Sequence, residues 1–176
     1  MTKARLATMW LDGCSGCHMS LLDVDEAIIT IAQRADLVYG PLVDAQEFPD
    51  DVDVTIVEGA VSSQDDLEKI QHVRERTRIL VALGDCAVTS NVPSMRNPFT
   101  VKSILDRVYV EGADVQKGAP TDGVPTLLRH AIPLQDVVKI DVYVPGCPPS
   151  AQAILFVLNE LLDGRIPDLK SKVRFG

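Results

Sequence analysis

Four cysteines carry the chemistry that can be read from this sequence: Cys14 and Cys17 as a Cys-x-x-Cys pair, and Cys86 and Cys147 as single residues. As thiolates they are the donor set of a metal or redox centre, whether a structural zinc, a dithiol site or an iron–sulfur cluster. Each lies beside glycine or proline, in DGCSGC, LGDC and PGCPP. Such residues fix the shape of a loop and leave room for bulk beside the backbone. A chain of 176 residues buries roughly two-thirds of its unfolded surface and needs no disulfide staples, so the cysteines ask for another reason.

Bringing positions 14, 17, 86 and 147 together is the work of the elements between them. Residues 5–10 read as a strand. From Ser20 onward Leu21, Val24, Ile28, Ile31 and Ala35 recur on one helical face. A short strand is expected at 37–39 and another at 52–57, ending at Glu58 and Gly59. Ser62 and Ser63 then offer caps, Asp65 and Asp66 suit a first turn, and Leu67, Ile70 and Val73 form a buried stripe. Residues 78–83 and 137–144 read as strands, and 150–163 as a helix capped by Ser150 and stopped by Gly164. Residues 92–133 carry five prolines and read as irregular, with only 101–108 helical. Strands alternating with helices predict a mostly parallel sheet covered on both faces, a flavodoxin-like three-layer α/β fold spanning residues 1–176 as one domain. In such a sheet the loops after the strands open on one edge, so all four thiols converge there.

Buried free cysteine explains one thiol better than four placed after strands. A dithiol site leaves Cys86 and Cys147 without a role. Structural zinc usually joins two local Cys-x-x-Cys knuckles, and this chain has one. A cubane accepts dispersed single cysteines and is the preferred reading.

Composition narrows the setting. The 25 acidic residues against 17 Lys and Arg give a formal charge of −8, the wrong sign for a nucleic-acid partner. No apolar run approaches the ~18 residues of a membrane span. With no twin-arginine pair and no signal-like apolar region at the N-terminus, a cytoplasmic location is expected.

The blocks WLDGCSGCHMS, VEGAV, ALGDCA and VPGCPPS, in that order across nearly the whole chain, resemble the small subunit of nickel–iron hydrogenases. That resemblance implies a flavodoxin-like domain holding one [4Fe–4S] cluster, with Cys14, Cys17, Cys86 and Cys147 as its ligands. It implies a large partner subunit bearing the Ni–Fe centre. Four cysteines suffice for one cubane, which is similar to the short cytoplasmic, NAD-reducing bidirectional type, where further subunits carry clusters, flavin and NAD chemistry. The related subunit of NADH:quinone oxidoreductase has adjacent first cysteines, whereas Ser15 and Gly16 separate them here. FMN is left open at the same edge and not predicted, because the cysteine loop takes the usual phosphate position.

Other residues at this edge have two readings each. Glu58 either couples proton to electron movement or is a backbone-bonded strand-end carboxylate. His18 either donates to a sulfur or bonds to backbone. Asp12 and Asp85 read as loop caps and Trp10 as strand-end packing. Helix N-termini near Ser20 and Ser150 would point positive dipole ends at the cluster. No nucleophile–base pair or nucleotide fingerprint is present, so the chain is expected to act only within a complex. Residues 92–133 are the expected docking segment.

Overall fold

The structure, a computed structural model, describes residues 2–115 and 117–175. Among these residues seven strands and six α-helices follow in chain order: β1 (Ala4–Trp10), α1 (Gly16–Leu22), α2 (Ala27–Arg34), β2 (Ala35–Tyr39), β3 (Val52–Glu58), β4 (Val61–Ser63), α3 (Gln64–Arg76), β5 (Thr77–Leu83), α4 (Asp85–Thr89), α5 (Val101–Asp106), β6 (Leu127–Ile132), β7 (Val142–Val144) and α6 (Ala151–Leu162). The main sheet runs β2-β1-β3-β5-β7, with every neighbouring pair parallel. Numbered within that sheet the order is 2-1-3-4-5, the flavodoxin-like order that alternation predicts.

Two apolar layers cover this sheet. Leu6, Val54, Ile56, Val81 and Val142 face Val24, Ile31, Ile154, Val157 and Leu158 of α2, α6 and the turn before α2. Val57, Leu80 and Ala82 face Ile70 and Val73 of α3 and the fully buried Leu134. Strand β3 is therefore buried on both faces, which is why VDVTIV reads as a nearly continuous apolar run. The start of α3 follows its sequence signals: Ser63 accepts from Asp66 N and the Asp66 carboxylate accepts from Ser63 N, a capping box.

Several boundaries depart from the sequence reading. The helix expected from Ser20 begins at Gly16 and is broken into α1 and α2, with Asp25 in the left-handed region at φ 52° and Ala35 already in β2. Its early start rests on a contact from β3, the Glu58 carboxylate at His18 N. The expected strand 137–144 shrinks to β7, because Asp141 bends inward: its carboxylate accepts from Leu80 N and pairs with Arg74. Segment 92–133 is more ordered than its prolines suggest. It contains β6, which pairs antiparallel with β4 in a second, two-stranded sheet. Arg96 donates to the carbonyls of Ser62 and Leu128, and Asn97 exchanges two hydrogen bonds with Ala131. Among the described residues no helix is long and apolar enough to cross a membrane.

Candidate metal centre

Each cysteine follows the carboxyl end of a strand of the main sheet. Cys14 lies in the loop after β1, Cys17 in the first turn of α1, Cys86 in the first turn of α4 after β5, and Cys147 in the loop after β7. All four thiols are free; Cys14 and Cys147 are exposed and the other two half-buried. They share one neighbourhood. Burial pushes the Cys17 thiol well above its ordinary range, and the charges of Glu58, Cys86, Cys14 and Cys147 push the same way. Burial also raises Cys86, with Cys147, Cys14 and Glu58 adding to it and a hydrogen bond from the Val92 backbone opposing. A positive counter-charge at this edge is what would return these thiols to thiolates.

Three long-range linkages, four hydrogen bonds in all, lace the cysteine segments together. Ser20 Oγ donates to the Pro149 carbonyl at 2.6 Å, tying α1 to the Cys147 loop. Gly146 N donates to Asp85 Oδ1 at 2.6 Å while Asp85 N donates to the Gly146 carbonyl at 2.9 Å, tying the Cys86 turn to the same loop. Glu58 Oε2 accepts from His18 N at 2.7 Å, tying β3 to α1. Asp85 thus does more than cap a loop, and no local sequence signal announces the bond it makes with Gly146.

Glu58 is 2% exposed, and its Oε2 also lies 2.7 Å from His18 Nδ1. Ser15, the N-cap of α1, is left-handed at φ 65° and gives no side-chain cap, so the carboxylate satisfies an amide of the first turn from across the fold. Of its two readings, Glu58 meets the backbone-bonded one by direct contact, and its influence on Cys17 also places it beside the thiols. His18 is bonded to Glu58, and its buried Nε2 has no partner among the described residues. Asp12 pairs through its backbone with Ala60. Trp10 is half-exposed at the strand end, with Nε1 donating to the Gly13 carbonyl.

Space around the sulfurs is made by glycine. A Cβ on Gly84, which sits at φ +83°, would stand 2.2 Å from Cys17 Sγ. One on Gly16 would stand 3.2 Å from Cys14 Sγ. Four thiols on one edge, with glycine backbone against Cys14 and Cys17, are of the kind and number that a four-thiolate cluster would need, and the residues fit one. Among the described residues no three His, Cys, Asp or Glu side chains are gathered to hold a single ion, so the fit rests on the kind and number of donors and on that space.

Residues 14–161, from the first cysteine through the last helix, match the family described as NADH ubiquinone oxidoreductase, 20 Kd subunit. The chain belongs to this family. Within it, the chain is 38% identical to the delta subunit of the NAD-reducing hydrogenase HoxS of Cupriavidus necator, the alignment covering 97% of this chain and 84% of that one. It is 33% identical to a subunit of the F420-non-reducing hydrogenase vhu of Methanocaldococcus jannaschii, over 96% of this chain but 59% of that longer subunit. A chain in the crystal structure of an NAD+-reducing [NiFe]-hydrogenase in the H2-reduced state superposes with a TM-score of 0.95 at 35% identity, over 99% of this chain and 100% of that one. The hydrogenase small-subunit resemblance drawn from the cysteine blocks is borne out, and so is the flavodoxin-like sheet. This family member is a homologue of subunits of oxidoreductase complexes.

Proposed function

We propose that this chain is the electron-transfer small subunit of a cytoplasmic nickel–iron hydrogenase. Cys14, Cys17, Cys86 and Cys147 hold one [4Fe–4S] cluster beside the Ni–Fe site of a large subunit, and the electrons go on to an NAD-reducing module. When bound, the cluster supplies one-electron transfer. The observation that carries the reading is the meeting of four free thiols, from three segments far apart in sequence, at one sheet edge, with glycine backbone against Cys14 and Cys17.

The residues of the chain prepare that edge. Ser20, Asp85 and Glu58 hold three separate segments in register, so the thiols are pre-positioned by the fold. Raised thiols bind metal with proton release and hold it more weakly as pH falls. Ser150 caps α6 directly after the Cys147 loop, so the positive end of a twelve-residue helix follows that cysteine in the chain. Glu58, bonded to His18 beside Cys17, is the group through which proton movement would be coupled to the electron.

The docking face is apolar. Met95 and Phe99 are 72% and 62% exposed, and Met19 and Val92 are exposed near the cysteines. Large exposed apolar side chains close together in sequence, as Val92, Met95 and Phe99 are, suit a surface that a partner covers.

Iron, zinc and acid-labile sulfide are to be measured on anaerobically purified complex, with visible absorption, for the parent and for each Cys→Ala variant. Near-stoichiometric iron and sulfide that fall in every variant, with hydrogen-dependent electron delivery lost, support the reading. One zinc per chain, or full iron and activity in any alanine variant, overturns the assignment of that cysteine set.

A further inference from the structure

The turn after α4 reaches back to the cysteines. Ser90 closes the helix at φ 63°, in the left-handed region, and its amide donates to the Cys86 carbonyl at 3.0 Å. The next residue, Asn91, sends its side chain across 56 positions of sequence, with Nδ2 donating to Cys147 Sγ at 3.5 Å. The backbone of the residue after that, Val92, bears on Cys86 and works against the rise of its thiol. Two successive residues thus lie against the cysteines of two segments, the loop after β7 and the first turn of α4.

Turn chemistry does not account for Asn91. Asparagine favours turns because it tolerates the left-handed region and bonds its own backbone, yet here the left-handed residue is Ser90 and the asparagine amide faces a sulfur. The turn is fixed independently: Ser94 N donates to the Ser90 carbonyl at 3.0 Å and Ser94 Oγ to the Asn91 carbonyl at 2.8 Å. Asp85, one residue before Cys86, holds the Cys147 loop at its Gly146 amide, so the distance from Asn91 to Cys147 is set by rigid neighbours on both sides.

We propose that Asn91 is a positioning residue that raises the reduction potential of the centre held by the four cysteines, through its hydrogen bond to the Cys147 sulfur. The proposal rests on the cluster reading above. A donor on a ligand sulfur favours the more negative, reduced state, and removing it lowers the potential. The Val92 backbone acts in the same direction on Cys86, but no side-chain change removes it, so Asn91 is the adjustable member of the pair.

The test is an EPR-monitored potentiometric titration of the complex co-expressed with its partner subunits, for the parent, Asn91→Leu, Asn91→Asp and Asn91→Gln, with iron content measured on each. Leucine keeps the bulk and loses the donor; aspartate keeps the shape, loses the donor and adds charge; glutamine keeps the amide. The expected order of midpoint potential is parent and glutamine highest, leucine lower, aspartate lowest, at unchanged iron content. If the leucine variant does not assemble, glutamine against aspartate decides. Full iron with equal potentials overturns the role of Asn91 alone, whereas a parent complex without an iron–sulfur signal overturns the cluster reading and this proposal with it.

Discussion

Glu58 and His18, 40 residues apart, are joined twice: one carboxylate oxygen lies 2.7 Å from the His18 backbone nitrogen and 2.7 Å from its Nδ1. Both side chains are more than nine-tenths buried. The bond fixes where α1 begins, and with it the position of Cys17 one residue earlier.

Glu58→Gln keeps the shape and one acceptor oxygen, so iron content should stay near the parent value while the pH–rate profile for hydrogen oxidation changes. An unmoved profile would leave Glu58 as a helix-starting carboxylate with no part in proton movement. Glu58→Ala strips the partner from two buried groups and should cost about 1–3 kcal/mol in chemical denaturation.

Gly84→Ala tests the cradle. Its Cβ would fall 2.2 Å from Cys17 Sγ on a backbone at φ +83°. Alanine at positive φ costs more than about 1 kcal/mol by itself, and the collision falls on a proposed ligand. Iron loading should drop more steeply than thermal stability; a fully loaded Gly84→Ala complex would show that the sulfur sits elsewhere in the working protein.

Ser63→Ala is the complementary control, at the start of α3 and away from the thiols. Loss of the capping box with Asp66 should lower stability by about 1 kcal/mol, as read from a shifted denaturation midpoint, and leave iron content and potential as they were. A loss of iron in this variant would mean that loading merely follows global stability, and the Gly84 result would then lose its meaning.

Hydrogen–deuterium exchange with and without the large subunit tests the docking face. Protection should appear at residues 13–19 and 92–126. Residues 59–62 and 127–132 are buried or paired within the chain, through β4, β6 and the Arg96 and Asn97 bonds, so they should exchange slowly in both states. Unchanged exchange at 92–126 would place the partner on another face.

The sequence by itself determined the class of fold and the candidate donors. Alternation of apolar runs with amphipathic stretches favours parallel, crossover-linked strands, and that puts the segments carrying Cys14, Cys86 and Cys147 on one edge of the main sheet. Ser63, Ser150 and Gly164 mark helix ends by local chemistry alone, and all three do so in the structure. What tertiary structure decided are the contacts with no local signal. The carboxylate of Glu58 starts α1 four residues before its periodicity does, Asp141 cuts β7 short by taking the Leu80 amide, and β6 exists because β4 is there to pair with it. The register of the thiols belongs to the same group. Ser20 with Pro149, Asp85 with Gly146 and Asn91 with Cys147 join residues 56 to 129 positions apart, and such bonds gain their energy only once the sheet has brought its edge together.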